Sequence, residues 1–199
     1  MKKLILLIIT VILLLILLSP LLPAERIRVY SNIEIDLDDI FKKVGILYSV
    51  YQLKIPAEIH RKLLSVDVFY NETIFGTIHF SDRDFAISSK GHIINKKEEL
   101  ENNFFADFTS KSWNENFILL FVNLNDLNIL DTVDKFSVEN KMIAFYDKNK
   151  ILVIMEKGDY KKKLQEYKKV IELFNEEIYK IKEINLQYKE QAIIKWREK

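Results

Sequence analysis

Side chains that could perform catalysis or bind a metal are few and widely separated in this sequence. His60, His79 and His92 lack the short spacing of metal-ligand motifs. No serine lies in a Gly-x-Ser-x-Gly sequence, and no glycine-rich phosphate loop is present. The acidic residues within 98–101 are more typical of a solvated helix face than of paired catalytic carboxylates. We therefore predict a protein that is not an enzyme, with no catalytic residue, cofactor, metal or small-molecule substrate.

The end of the chain could act through its backbone instead. Ala192-Ile193-Ile194 favours a β-strand, and Trp196 follows it closely. A strand at the edge of a sheet exposes N–H and C=O groups that can pair with a strand from another protein. Two interpretations are open from these residues alone: the strand binds a partner, or it completes the core while Trp196 covers the end of a helix.

Composition excludes several classes of function. The chain has 199 residues, with 30 Lys and Arg against 29 Asp and Glu, so its formal net charge is only +1. This balance does not favour nucleic-acid binding. Cysteine is absent, which excludes disulfides, thiol chemistry and thiolate metal sites.

The first residues predict a membrane anchor. Residues 4–22 carry no charge, and as a helix they would extend about 28 Å, close to the hydrocarbon thickness of a bilayer. The residues before Glu25 fit a signal-peptide cleavage site poorly, so an uncleaved transmembrane helix is favoured. We therefore expect residues 1–24 to be a cytoplasmic stub and anchor, with the remaining domains outside the cytoplasmic membrane.

Residues 25–95 are predicted to form a small domain of order β-α-α-β-β. Alternating apolar residues indicate a strand from Ile27 to Ile35. A first helix is expected between Asp36 and Gly45, and a second begins at Pro56. The strands of residues 66–70 and 73–80 then read as a hairpin.

Residues 96–199 are predicted to form a mixed α/β domain with a long helix packed on a sheet. The expected elements before that helix are a helix at 98–108, a strand at 117–122, a helix at 124–133, and strands at 136–138, 142–146 and 151–155. The long helix begins after Gly158-Asp159, and its apolar seam is spaced by three and four residues. The seam comprises Tyr160, Leu164, Tyr167, Ile171, Phe174 and Ile178. Strands at 184–188 and 192–196 follow, so the fold class is α+β.

Several stretches of this sequence resemble sequences of one bacterial family. An anchor followed by β-α-α-β-β is similar to a POTRA domain. The stretch Ser81-Asp82-Arg83-Asp84-Phe85-Ala86-Ile87, followed by a glycine turn, resembles a strand of the cell-division family FtsQ/DivIB. Leu186-Gln187-Tyr188 lies where that family often has Leu-Arg-Tyr, and a final strand ending in Trp resembles its tail.

This resemblance implies a non-catalytic divisome scaffold at the cytoplasmic membrane. The scaffold would hold membrane-anchored FtsB/DivIC-like and FtsL-like proteins during septal wall synthesis, and the membrane would be contacted through residues 4–22. The residues that the resemblance implies for partner binding are Tyr188, Ala192, Ile193, Ile194 and Trp196. The alternative is a POTRA-bearing scaffold for protein export or outer-membrane assembly, which would dock its partner along residues 73–80.

Overall fold

A computed structural model describes residues 2–18, 24–61, 65–94, 102–188 and 191–198. Its contacts divide the chain into two compact units, Met1–Glu72 (unit 1) and Thr73–Lys199 (unit 2). The division therefore falls between Glu72 and Thr73, while the sequence placed a domain boundary at residues 95 and 96.

Unit 1 contains, within the described residues, two α-helices and five strands. Its elements are α1 (Lys2–Leu18), β1 (Arg26–Ser31), α2 (Leu37–Ile40), β2 (Phe41–Val44), β3 (Leu47–Leu53), β4 (Glu58–Arg61) and β5 (Ser65–Tyr70). Strand β5 pairs in parallel with β1 and antiparallel with β4. Strands β2 and β3 form a separate antiparallel hairpin. A small core with Ile40, Phe41, Val66 and Val68 lies within this unit.

The predicted transmembrane helix over residues 4–22 is wrong. Helix α1 has 17 residues and ends at Leu18, which corresponds to about 26 Å and falls short of a bilayer core of about 30 Å. Within the described residues, no helix is both long and apolar enough to cross a membrane. Residues 19–22 of the prediction lie outside the described part of the chain.

The POTRA-like order β-α-α-β-β is also wrong. The first predicted helix is only the four residues of α2. Where the second helix was expected, residues 58–61 form β4, and Leu63 and Leu64 lie outside the described residues. Ile59 alternates with exposed neighbours and pairs with Val68. Burial therefore alternates with the two-residue period of a strand, although Pro56 is a residue that often begins a helix. The predicted hairpin is wrong as well, because β5 pairs with β1 and β4.

Unit 2 contains, within the described residues, a four-stranded sheet, a five-stranded sheet and two α-helices that share one core with them. Its elements are β6 (Ile74–His79), β7 (Asp84–Ser88), β8 (Ile93–Ile94), β9 (Asn103–Phe105), α3 (Glu115–Asp126), β10 (Val133–Glu139), β11 (Met142–Asp147), β12 (Leu152–Met155), α4 (Tyr160–Leu173), β13 (Ile181–Asn185) and β14 (Ile193–Trp196). The strand orders are β8-β7-β6-β9 and β10-β11-β12-β13-β14. A bridge between Ala106 and Phe136 connects the two sheets.

Helix α3 occupies residues that the sequence assigned to a strand at 117–122. Phe117, Leu120, Phe121 and Leu124 are buried at helical spacing, and the Asn114 side chain accepts a hydrogen bond from the Asn116 N–H at the helix start. The helix predicted at 98–108 is wrong over 103–105, which form β9, while 98–101 lie outside the described residues. The helix predicted at 124–133 is reduced to the end of α3 and a 3-10 turn at Leu130–Thr132.

Most of the later elements agree with the sequence, although β13 begins and ends three residues before the strand predicted at 184–188. The predicted strands at 136–138, 142–146 and 151–155 are confirmed as β10, β11 and β12, which pair antiparallel. The predicted long helix is confirmed as α4 up to Leu173, with Tyr160, Leu164 and Tyr167 buried in the core cluster of unit 2. The predicted seam is wrong beyond that point, because Phe174 ends the helix and Ile178 lies in a 3-10 helix at Asn175–Lys180. Both α3 and α4 contribute to this single cluster, together with residues from both sheets.

A buried polar pair fastens α4 to the turn between β11 and β12. The Tyr167 hydroxyl donates to Asp147 Oδ2 at 3.0 Å, and Asp147 Oδ1 accepts from the Ile151 N–H at 2.9 Å. Burial and, after it, the Asp147 charge raise the pKa of Tyr167 far above its usual value. The neutral phenol is therefore strongly favoured in the folded protein.

Tyr167→Phe should make the stability of the protein less sensitive to alkaline pH. The raised pKa contributes stability below about pH 10, and this contribution is lost as pH rises, because the unfolded chain releases the proton first. The expected slope is about 1.4 kcal/mol per pH unit for this group. Urea unfolding at a series of pH values measures it, with Tyr179→Phe, at a 62% exposed tyrosine, as the control. An unchanged slope in Tyr167→Phe would contradict the assignment.

Candidate binding edge

Strand β14 forms one edge of the five-stranded sheet. It pairs antiparallel with β13, with Ile194 opposite Ile184 and Ile193 opposite Asn185. No other strand in the described part of the chain pairs with β14. The structure thus places Ile193, Ile194 and Trp196 on an edge strand, which is the position the sequence predicted for them.

The side chains of β14 divide between two faces. Ala192 and Ile194 pack against the core cluster of unit 2. The Trp196 ring lies edge-to-face against Phe174, with 5.5 Å between centroids, yet Trp196 stays 44% exposed. On the opposite face, Ile193 is 42% exposed. Ile194 thus packs on the core and Trp196 lies against the residue that ends α4, as the alternative interpretation expected. Ile193 and Trp196 nevertheless remain exposed, one on each face of the edge.

The backbone of β14 has two amides on its open side. The Arg197 N–H donates to the Lys180 carbonyl at 2.7 Å, so it points towards β13. Because successive N–H groups of a strand point to opposite edges, the amides of Ile193 and Lys195 also face β13, and those of Ile194 and Trp196 face outward. The open edge thus offers two donors, flanked by carbonyl acceptors, to an incoming strand.

Amide hydrogen exchange should report this alternation. We expect the Ile194 and Trp196 amides to exchange faster than those of Ile193 and Lys195, because only the latter pair is bonded to β13. Residue-resolved NMR exchange measures all four in one sample. Equally slow exchange at Ile194 and Trp196 would mean that the edge is covered, and equally fast exchange at all four would mean that β14 is not paired.

Charged side chains hold the C-terminal end of β14 in place. Lys195 Nζ lies 2.7 Å from Glu183 Oε1, whose side chain is 11% exposed. Arg197 Nη2 donates to the carbonyls of Asn149 at 2.8 Å and Lys150 at 3.3 Å. The sequence around Arg197 does not predict its hydrogen bonds to Asn149 and Lys150. These bonds form because the turn between β11 and β12 lies close to the end of β14 in space.

An open cavity of about 530 Å³ adjoins the Trp196 end of the strand. Its lining residues are Glu177, Tyr179, Lys180, Trp196, Arg197 and Glu198. The ion pair between Lys180 and Glu177, at 2.7 Å, raises the pKa of Lys180. The cavity therefore presents two exposed aromatic rings between charges, an arrangement suited to a large apolar or aromatic side chain. Sequence reasoning did not identify Tyr179 as part of this surface.

Tyr188 lies at the other end of the sheet edge. It is 52% exposed after β13 and lines a second cavity of about 330 Å³ beside the start of α4, near Asp159 and Lys162. Tyr188 is thus separated from Trp196 by the length of β14. The next two residues, Lys189 and Glu190, lie outside the described part of the chain.

The histidines are dispersed and engaged locally. His60 Nε2 lies 2.7 Å from Glu58, and His79 Nδ1 lies 2.9 Å from Asp84. Across the described ranges, no group of three or more His, Cys, Asp or Glu residues could hold a metal ion. The acidic residues at 98–101 lie outside those ranges, and the absence of enzymatic activity stays a prediction.

Strand β6, the docking strand of the alternative scaffold, is paired on both sides. It lies between β7 and β9. A Cβ atom placed on Gly76 would lie 2.6 Å from the Asn102 carbonyl oxygen, so the neighbouring chain passes very close. An incoming strand would have to displace an existing neighbour.

In comparisons with known proteins, no family model and no curated protein matches the chain.

Proposed function

We propose that this chain is a non-catalytic binding protein that captures an extended segment of a partner along β14. The observation that carries the proposal is the open edge of β14 with Trp196 still 44% exposed beside it. Natural edge strands are usually shielded by charges, bulges or covering segments. Here the exposed side chains on and beside the edge include the apolar Ile193 and Trp196.

Backbone pairing supplies the affinity in this proposal, and side chains supply selectivity. The partner strand accepts hydrogen bonds from the outward amides of Ile194 and Trp196. A large apolar side chain of the partner then enters the cavity between Trp196 and Tyr179. Trp and Tyr are the residues most often found to dominate binding energy at interfaces.

The partner that we propose is a membrane-anchored division protein of the FtsB/DivIC kind, with an FtsL-like protein in the same assembly. This part rests on the resemblance of the chain to FtsQ/DivIB. It draws support from β14, a final edge strand that ends at Trp196, since a final strand ending in Trp is part of that resemblance. In that role the chain acts outside the cytoplasmic membrane during septal wall synthesis.

A scaffold for export or outer-membrane assembly is the weaker candidate. Its expected docking strand, residues 73–80, has neighbours on both sides. No observation favours this function over capture at β14.

Photo-crosslinking in cells tests the proposal. A benzoylphenylalanine at position 193 should crosslink one defined protein, because Ile193 projects from the edge strand without supporting the core. Position 138 provides a matched control, since Val138 is 43% exposed on β10 of the same sheet. A division protein captured from 193 and not from 138 supports the proposal, an export component supports the alternative, and equal yields from both positions contradict capture at β14.

A further inference from the structure

The turn of the β2–β3 hairpin presents apolar side chains directly to solvent. Ile46 is 90% exposed, the highest value among the large apolar side chains described, and Val44 is 54% exposed. Gly45 adopts a φ of +62° between them, a conformation that suits glycine and closes the turn. We call Val44, Gly45 and Ile46 the hairpin tip. Val44 and Ile46 therefore form a small exposed apolar surface at this turn.

The charges beside the hairpin tip favour an anionic surface. Lys42 and Lys43 directly precede the tip and are exposed, and Lys43 Nζ lies 5.5 Å from the centre of the Tyr48 ring. The acidic residues 36–39 lie before Phe41, at the opposite end of the hairpin. Apolar residues beyond a collar of lysine and tyrosine are typical of segments that enter the interface of a membrane.

A second exposed apolar surface belongs to the same unit. The large apolar side chains of α1 from Leu4 to Leu14 are between 48% and 67% exposed. The Ala24 N–H donates to the Tyr48 carbonyl at 2.9 Å, so the chain that follows α1 meets the hairpin two residues after Ile46. Since Leu18 and Ala24 are six residues apart, the end of α1 lies within about 20 Å of this contact.

We propose that the hairpin tip inserts into the surface of an anionic lipid bilayer. Val44 and Ile46 enter the boundary between headgroups and acyl chains, while Lys42 and Lys43 contact the headgroups. A second copy that met the tip with its own tip would bring lysines against lysines. Lys42 and Lys43 beside Val44 and Ile46 match the combination of cationic and apolar groups that binds an anionic lipid interface. This contact requires no helix to cross the bilayer, and it is independent of binding at β14.

A single introduced cysteine tests the proposal, because the chain contains none. Ile46→Cys in the full chain is labelled with the polarity-sensitive fluorophore NBD and mixed with phosphatidylcholine vesicles, with or without phosphatidylglycerol. We expect a blue shift and an increase in emission with the anionic vesicles. The matched control is Leu173→Cys, at a 76% exposed apolar position of unit 2, which should not respond.

Charge variants test the role of the lysines. Lys42→Gln with Lys43→Gln should raise the amount of anionic lipid needed for half of the signal at position 46 by roughly tenfold. No response at 46, or an equal response at 173, would overturn the proposal. An equal response to vesicles without phosphatidylglycerol would overturn the selection of anionic lipid. A signal that grows with protein concentration without vesicles would assign the tip to self-association instead.

Discussion

Ile193→Lys combined with Trp196→Ala should leave unit 2 folded and weaken capture of the partner at least tenfold. A tenfold loss corresponds to about 1.4 kcal/mol. Neither side chain is buried: Ile193 is 42% and Trp196 44% exposed. Truncating a Trp at the centre of an interface commonly costs about 2 kcal/mol, and a lysine at 193 would place a charge against the apolar face of the incoming strand.

The choice of Ile193 over Ile194 follows from the register of β14. Ile194 packs against the core cluster, so a charge there would destabilise the fold and lower binding for the wrong reason. Deletion of residues 192–199 has the same defect, because it removes Ala192 and the Arg197 contacts as well. The double variant avoids both problems.

Calorimetric titration with the crosslinked partner's extracytoplasmic segment measures the loss. The matched control is Val138→Lys with Phe105→Ala, which changes two similarly exposed apolar residues of unit 2, 43% and 51% exposed, away from β14. We expect the control to bind as the unmodified chain does. Unchanged affinity in a folded Ile193 and Trp196 double variant would remove the basis for capture at this edge.

The second half of unit 2 was the most predictable part of the fold. The apolar seam of α4 repeats every three or four residues, and the buried Tyr160, Leu164 and Tyr167 keep that spacing. The β10–β12 strands follow one another through short turns, so their pairing is local. Local pairing and a sustained period leave few alternative structures for such a segment.

The errors come from segments whose pairing is not local. The apolar run at 117–122 is too short to distinguish a strand from a buried helix by pattern alone. It forms α3, whose buried side chains pack against residues of both sheets. Residues 103–105 pair with β6, far back in the sequence. Ile59 follows Pro56 but pairs with Val68. In each case the structure of the segment depends on a pairing or packing partner that is distant in the sequence. The local sequence pattern does not identify that partner.

The candidate site was predictable in position but not in detail. The β propensity of residues 192–196 predicted the strand, and the resemblance to FtsQ/DivIB implied that it binds a partner. The roles of individual residues depend on register, because each one-residue step moves a side chain to the other face. The resemblance grouped Ala192 and Ile194 with Ile193 as partner-binding residues, although the first two pack on the core. Tyr179 joins the surface only through the 3-10 helix at Asn175–Lys180.

Phe121→Ala should destabilise the whole of unit 2 by about 3–5 kcal/mol. The Phe121 side chain is fully buried in α3. Its ring lies 5.3 Å from Phe104 on β9 and 6.2 Å from Phe136 on β10, measured between centroids. It therefore contacts both sheets, and the cavity left by alanine would remove packing from each of them.

Denaturant unfolding followed at two tryptophans tests whether these sheets form one cooperative unit. Trp113 is buried beside Phe136 and Trp196 lies on β14, so variants that retain only one of them report on different ends of the core. We expect Phe121→Ala to shift both transitions together. Leu119→Ala, at a 45% exposed position of the same helix, should cost about 0.5 kcal/mol or less. If only the Trp113 transition moved, the sheet carrying β14 would be stable without α3. The open edge would then belong to a cooperative folding unit smaller than the core that α3 shares with both sheets.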